Sequence, residues 1–268
     1  MASPITPAPR WPGGRVRTVA VPGGMLPVET LGQGPPLILL HGWTLDRRMW
    51  VPQAALADRI MLVGIDRRGF GQASAPAELA REPDDVLRVA EALGLDRFHL
   101  LGMSQGGRVA LALAARAPER LLSLILAAPA LDGVAAAADE GVPLAAMAAA
   151  AGAGDRAALL ALWRDHPLAR SRDPAVAAIL ADYDGRDLVG DATTLLAHAA
   201  NIAGLPTTVI TGADDTPRRH AHAAALVAAG ARGVVLAGAG HLANMDAPRE
   251  FDAAVRAAVG VVTPPRPA

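Results

Sequence analysis

The sequence has 268 residues, a net charge of −1 and neither cysteine nor lysine, since all 25 basic residues are arginine. Thiol nucleophiles, disulfides and thiolate metal ligands are therefore excluded, as are Schiff-base lysines and the lysine of a Walker A phosphate loop. The nearly balanced charge favours neither nucleic acid nor a membrane surface as a partner, and we expect a small-molecule substrate instead.

The chain is predicted to start with a β-hairpin and to continue into a parallel sheet. Val16–Val21 and Leu26–Leu31 are short β-type segments, and the intervening Pro22-Gly23-Gly24 is typical of a turn. Continuous apolar segments of the kind that form buried parallel strands follow at Leu37–Leu40, Ile60–Ile65, Phe98–Leu101 and Leu122–Leu126. Helices are predicted at Asp84–Leu93 and at Gln105–Ala117.

An alanine-rich helical segment without evident strands interrupts this pattern between residues 133 and 200. Strand-like sequence resumes at Thr207–Thr211 and at Val234–Leu236, and a helix is predicted after each of them. This order predicts an α/β fold with a mostly parallel eight-stranded sheet and helices on both faces. The predicted units are a core at 1–132 and 201–268, a helical cap at 133–200, and flexible tails at 1–14 and 262–268.

Nothing in the sequence resembles a targeting signal or a membrane span. The first ten residues contain three prolines and no apolar block, which argues against a secretory signal peptide. The least charged internal segment, Val142–Gly154, is too short to span a bilayer. We therefore expect a cytoplasmic protein. We also expect a monomer or a small homo-oligomer.

A Gly-x-Ser-x-Gly motif lies between a predicted strand and a predicted helix. In Gly102-Met103-Ser104-Gln105-Gly106, the two glycines leave room for the sharp, strained turn that exposes a serine hydroxyl. The N–H groups at the start of the following helix point toward the reacting centre. This context predicts Ser104 as a nucleophile, and the alternative is an ordinary tight turn.

Two backbone N–H groups are predicted to form an oxyanion hole. His41-Gly42-Trp43 directly follows a buried strand, and the small residue lets the chain turn so that the Trp43 N–H faces the serine. The N–H of Gln105 is the second predicted donor. The alternative is a strand-ending turn with a histidine in the core.

The general base and its acidic partner are predicted on the last two loops that follow strands. His241 comes after Gly238-Ala239-Gly240, whose glycines let the loop carry the ring across the sheet ends. Asp215 is favoured as the acid that holds the imidazole tautomer, because the loop needs residues to rise over the sheet edge. Asp214 is the alternative acid, and Asp132 is a more distant candidate.

Together these residues resemble the α/β-hydrolase superfamily over about 16–259, in the order serine, acid, histidine. The segment from Gly64 to Ser74 resembles the family's G-x-D-x-R-G-x-G-x-S turn, in which Asp66 and Arg68 brace the loops under the site. The resemblance implies the α/β-hydrolase fold with a helical cap. The segment that contains Trp43, Leu45 and Trp50 is most similar to enol-lactonases and small-ester hydrolases, and cofactor-free haloperoxidases are similar too.

The leading hypothesis is hydrolysis of a small, apolar carboxylic ester or lactone through an acyl-enzyme, without cofactor or metal. Perhydrolysis and C–C bond hydrolysis with the same residues are alternatives, and so is a ligand receptor without turnover. The predicted substrate pocket is lined by Trp43, Leu131, Leu144, Met147, Trp163 and Leu168. For each of these apolar residues, packing of the cap onto the core is at least as good an explanation.

Overall fold

The protein is built on one sheet, seen in a computed structural model that describes residues 10–135, 140–190 and 194–261. The strands are β1 (Arg15–Val21), β2 (Gly24–Leu31), β3 (Pro36–Leu40), β4 (Met61–Ile65), β5 (Phe98–Met103), β6 (Leu121–Ala127), β7 (Thr207–Gly212) and β8 (Arg232–Leu236). Their order in the sheet is β1-β2-β4-β3-β5-β6-β7-β8. β2 runs antiparallel to the other seven strands, which share one direction. The predicted eight-stranded, mostly parallel sheet is confirmed.

Helices connect the strands and form the insertion. In the described part of the chain, the α-helices are α1 (Glu82–Ala92), α2 (Gln105–Arg116), α3 (Leu144–Gly152), α4 (Arg156–Trp163), α5 (Ala175–Asp182), α6 (Pro217–Ala228), α7 (Ala243–Asp246) and α8 (Pro248–Val259). Segments of 3-10 helix lie at Arg47–Asp58, Leu79–Arg81, Pro118–Arg120, Arg186–Leu188 and Ala199–Ile202. None of these helices combines the length and the apolar character that crossing a membrane requires.

Apolar packing covers both faces of the sheet. In β3, Leu37 and Leu39 belong to one apolar cluster, whereas Ile38 and Leu40 belong to the other. All four side chains are at most 1% exposed. Since successive side chains of a strand point to opposite faces, a strand that is covered on both sides must be apolar throughout. This explains why the inner strands are recognisable in the sequence as continuous apolar segments.

The helical segment from residue 140 to 190 lies against the loops that follow β3 and β4. The Arg186 guanidinium donates hydrogen bonds to the carbonyl oxygens of Gly69 and Gly71, at 3.0 and 2.9 Å. The indole N–H of Trp163, at the end of α4, donates to Thr44 Oγ1 at 2.8 Å. These contacts join residues 140–190, hereafter the cap, to the loops at the carboxyl ends of β3 and β4.

The amino-terminal segment is anchored from residue 10 onward. Trp11 is 2% exposed, and its indole N–H donates to the carbonyl oxygen of Trp50 at 3.0 Å. The carboxylate of Glu29 accepts hydrogen bonds from the N–H groups of Arg10 and Trp11, both at 2.7 Å. Residues 10–14 thus differ from the flexible tail predicted for 1–14, because the buried Trp11 anchors them. Residues 1–9 and the predicted tail at 262–268 lie outside the described residues.

Candidate active site

Ser104 occupies a strained turn between β5 and α2. Its φ of 50° and ψ of −110° are unusual for a residue with a side chain, and its N–H donates to the Ala127 carbonyl oxygen at 2.8 Å. A Cβ atom on Gly102 would stand 2.3 Å from the Gly106 oxygen, and one on Gly106 would stand 2.5 Å from the Leu40 oxygen. Both glycines of the motif are therefore required by close backbone approach, as the strained turn implies.

His241 and Asp215 lie side by side on the loops that follow β8 and β7. The His241 Nδ1 atom is 3.1 and 3.0 Å from the two carboxylate oxygens of Asp215. Both side chains are buried, with at most 2% exposed. A carboxylate on Nδ1 retains the proton there and leaves Nε2 as the basic atom of the ring. His241 and Ser104 line the same cavity, of about 190 Å³.

The two other candidate acids lie elsewhere. The Asp214 side chain is 62% exposed and its carboxylate is 4.0 Å from the Arg172 guanidinium. Asp132 accepts hydrogen bonds from the Arg108 guanidinium at 2.5 Å and from the Ala197 N–H at 2.8 Å. Of the three aspartates, Asp215 is the one that contacts His241.

His41 links the predicted oxyanion loop to the turn that follows β4. Its Nε2 accepts a hydrogen bond from the Arg67 N–H at 3.0 Å, so Nδ1 carries the proton and donates to the Gly42 oxygen at 2.8 Å. Burial, together with the charge of Arg67, lowers the pKa of His41 well below its ordinary value. The ring is therefore neutral near pH 7, and the buried His41 connects the two loops.

Arg67 connects three elements beneath the predicted nucleophile, a role that the sequence did not indicate. Its guanidinium donates to the Gln105 side-chain oxygen at 2.7 Å and to the Glu82 carboxylate at 2.9 Å. Burial raises the pKa of Glu82 to about 7, although the charge and the hydrogen bond of Arg67 oppose this. These contacts fix the first residue of α2, whose N–H is a predicted oxyanion donor.

Asp66 and Arg68 brace loops, as the family resemblance implies. The Asp66 carboxylate accepts hydrogen bonds from the N–H groups of Arg47 and Gln72, both at 3.0 Å, and it also binds the Arg47 guanidinium. The Arg68 guanidinium makes a bidentate contact with Asp85 on α1, at 2.6 and 2.9 Å. Neither residue lines the cavity that contains Ser104.

Two connected cavities lie between the cap and the core. The smaller one, of about 190 Å³ and hereafter the inner cavity, contains Ser104 and His241 in a mostly apolar wall that also includes Arg108 and Arg219. The larger one, of about 630 Å³ and hereafter the outer cavity, has both acidic and basic side chains in its wall. Among the predicted pocket residues, Trp163 and Leu168 line the inner cavity, Leu131 and Leu144 line the outer cavity, and Trp43 lines both. Met147 differs, because it lines neither cavity and is fully buried in the apolar cluster.

No group of three or more histidine, aspartate or glutamate side chains that could hold a metal ion is found within the described ranges. Four residues have contacts in the site although the sequence did not indicate them, namely Arg67, Glu82, Thr44 and Asp187. Arg67 and Glu82 are 15 positions apart, Thr44 and Trp163 are 119 apart, and Asp187 is 144 positions from Trp43. No local motif therefore indicates them.

The sequence profile of the alpha/beta hydrolase fold matches residues 35–168, half of the chain. The chain belongs to the α/β-hydrolase fold family. Its structure is similar to that of a hydrolase from Pseudomonas aeruginosa PA01, with 30% sequence identity and a TM-score of 0.74 over 92% of this chain and 98% of that one. An enol-lactonase from Burkholderia xenovorans LB400 is 26% identical, with a TM-score of 0.75 over 91% of this chain and all of that one.

Curated relatives in the α/β-hydrolase family match a shorter part of the chain. A pimeloyl-[acyl-carrier protein] methyl ester esterase from Aeromonas hydrophila subsp. hydrophila is 42% identical over 104 residues. That match covers 38% of this chain and 40% of the esterase. The chain thus spans about 40% of the length of this relative.

Proposed function

We propose that the protein hydrolyses a small carboxylic ester or lactone through an acyl-enzyme on Ser104. The observation that carries this proposal is the buried Asp215–His241 pair, whose histidine lines the same cavity as the strained Ser104. A serine, a histidine and a carboxylate in this arrangement are the groups that nucleophilic acyl transfer requires. Relatives named as esterases and an enol-lactonase support this reaction class.

In the proposed mechanism, His241 Nε2 accepts the proton of the Ser104 hydroxyl while Oγ bonds to the substrate carbonyl carbon. The carbonyl oxygen becomes an oxyanion and accepts hydrogen bonds from the N–H groups of Trp43 and Gln105. Collapse of this intermediate breaks the bond to the alkoxy oxygen, which takes the proton from His241. A water molecule, deprotonated by the same histidine, then attacks the acyl-serine and releases the acid.

The inner cavity supports a small, apolar acyl group as the part of the substrate nearest Ser104. Its wall combines aromatic and aliphatic side chains, among them Trp43, Trp163 and Leu168, and its volume is about 190 Å³. Apolar burial of this kind stabilises an acyl chain. The two arginines of the same wall, Arg108 and Arg219, are each paired with a carboxylate of the protein. The larger outer cavity, whose wall contains arginine and glutamate side chains, leaves room for a polar leaving group.

A fluorophosphonate probe tests the nucleophile without knowledge of the substrate. We expect covalent labelling of the folded protein at Ser104, because such probes react with a serine that has a working base and an oxyanion hole. Mass spectrometry should place the adduct on the peptide that contains Gly102-Met103-Ser104-Gln105-Gly106.

The matched control is Ser104→Ala, which should abolish labelling and lower the kcat for p-nitrophenyl esters by ~10⁴-fold or more. Its thermal unfolding midpoint should stay close to that of the wild type. An adduct on another serine such as Ser74, or turnover that persists in Ser104→Ala, would overturn the proposed function.

A further inference from the structure

Two side chains of the cap hydrogen-bond adjacent residues of the predicted oxyanion loop. The Asp187 carboxylate accepts a hydrogen bond from the indole N–H of Trp43 at 2.7 Å. One residue later in the loop, Thr44 Oγ1 accepts from the indole N–H of Trp163 at 2.8 Å. Trp43 of the core donates to the cap, and Trp163 of the cap donates to the core. The cap and the core therefore each supply one donor and one acceptor.

Thr44 is held in a conformation that threonine rarely adopts. Its φ is 62°, in the left-handed region where a β-branched side chain is strained. A strained residue of this kind persists only where its surroundings fix it. Thr44 and Trp163 are both 3% exposed, and a buried indole N–H needs an acceptor. The hydrogen bond from Trp163 therefore helps to hold the strained Thr44 and also gives the buried indole N–H its acceptor.

Asp187 is itself fixed from two further directions. Its second carboxylate oxygen accepts a hydrogen bond from the Tyr183 hydroxyl at 2.7 Å. The preceding residue, Arg186, binds the carbonyl oxygens of the loop that follows β4. Trp43 and Trp163 also pack edge to face, with ring centroids 4.9 Å apart. The side chain of Trp43 is consequently bound to the cap by a hydrogen bond and by an aromatic contact.

We propose that Trp163 and Asp187 are positioning residues that hold Trp43–Thr44 so that the Trp43 N–H is directed at the developing oxyanion. This inference rests on the proposed function, since it gives that N–H a role in the reaction. Geometry is decisive for such a donor, because a misplacement of about 1 Å costs up to about 10²-fold in rate. The cap is then a part of the oxyanion hole as well as a wall of the cavity.

A double-mutant cycle on Trp163→Phe and Thr44→Val tests the first of the two bonds. Phenylalanine keeps an aromatic ring but lacks the N–H, and valine keeps the β-branch but lacks the acceptor. We expect each variant to lower kcat about tenfold, below the ~10²–10³-fold cost of deleting a donor. The double variant should lose no more than the worse single variant, because both remove the same bond. Thr44→Ser, which retains the hydroxyl, should keep most of the wild-type kcat.

Binding of a trifluoromethyl ketone separates a positioning role from a merely structural one. This probe forms a tetrahedral adduct with the serine and places an oxyanion in the hole. We expect Thr44→Val, at a residue that lines neither cavity, to weaken its binding about tenfold while KM for the ester stays unchanged, since the lost interaction acts in the transition state. Trp163→Phe and Asp187→Ala should weaken the binding of the ketone to a similar extent. Arg164→Gln, at an exposed residue next to Trp163, is the control and should change neither quantity.

The outcomes distinguish this inference from the proposed function. Wild-type turnover or probe labelling that does not depend on Ser104 overturns the proposed function. Turnover that depends on Ser104, combined with additive losses in the cycle or with a rise in KM at unchanged affinity for the ketone, overturns the positioning role alone.

Discussion

Asp214 and Asp215 are consecutive residues with opposite environments. The Asp214 N–H donates to the Ala239 oxygen at 2.9 Å, which ties this loop to the one that carries His241. Its side chain nevertheless points to solvent and is 62% exposed, whereas the Asp215 side chain is fully buried against the imidazole. Asp215 also accepts a hydrogen bond from the Thr216 N–H at 2.7 Å, which fixes the carboxylate.

Substitution of each aspartate by asparagine should separate the two residues. Asp215→Asn is expected to lower kcat by ~10³–10⁴-fold, because an amide neither stabilises the imidazolium nor enforces the tautomer with a basic Nε2. Asp214→Asn, the matched control at an exposed position, should leave kcat nearly unchanged. Steady-state kinetics on one p-nitrophenyl ester measures both, and the reverse ranking would move the acid to Asp214.

The residues of the candidate site differ in how far sequence alone indicates them. Ser104 lies in a local motif, and His241 and Asp215 follow strands whose order fixes which loops meet. Thr44 was not predictable, because threonine rarely adopts a positive φ. Asp187 was not predictable either, because its partner Trp43 is 144 positions away along the chain. At this scale, the sequence indicates residues whose position depends on a local motif or on strand order and misses those whose position depends on distant side-chain contacts.

At the scale of elements, the turn from β5 into α2 depends on glycine because α2 starts against the end of β3. A Cβ atom on Gly106 would stand 2.5 Å from the Leu40 oxygen and 2.6 Å from the His41 oxygen. Both are backbone atoms of the strand end and of the predicted oxyanion loop. They cannot give way without displacing that loop.

Gly106→Ala is therefore expected to destabilise the protein by on the order of 1–3 kcal/mol, as overpacking of a rigid site does. Gly152→Ala is the control, since Gly152 lies in the last turn of α3, where an added Cβ atom would meet open space. There alanine should be neutral or stabilising by up to about 1 kcal/mol. Urea unfolding of both variants measures the difference, and equal effects would contradict the steric argument.

The strands were better predicted than some of the helices. The predicted Leu37–Leu40 and Phe98–Leu101 lie within β3 and β5, because strands buried on both faces are continuous apolar segments. The 3-10 helix at Arg47–Asp58 was not predicted, and it contains Pro52, which disfavours a helix interior. It is stabilised by tertiary packing, since Trp50 and Leu56 are fully buried.

At the scale of the whole molecule, the site is assembled at one edge of the sheet. Trp43 follows β3, Ser104 follows β5, Asp215 follows β7 and His241 follows β8. In a parallel arrangement these loops all leave the carboxyl ends of their strands and meet at the same edge. Four separate parts of the chain thereby converge without any of them being close in sequence to the others.

Global stability should depend on a buried carboxyl group on α8. Asp252 is 8% exposed, and its Oδ1 atom has no hydrogen-bond partner among the described residues. Burial raises the pKa of Asp252 to about 7, although the charge of Arg256 and a hydrogen bond from Gln53 oppose this. An aspartate in the unfolded chain titrates near its ordinary pKa of about 3.9.

Between about pH 4 and pH 7, the folded protein therefore holds a proton on Asp252 that the unfolded chain has released. The contribution of this group to the free energy of unfolding then falls as the pH rises through that window. Asp252→Asn removes the titration, so its stability relative to the wild type should increase from pH 4 to pH 7 by on the order of a few kcal/mol. It should level off above pH 7. Urea unfolding across this range measures the difference, with Asp165→Asn, at a side chain that is 79% exposed, as the control. A difference that is flat or falls with pH would mean that Asp252 is ionised in the folded protein throughout the range.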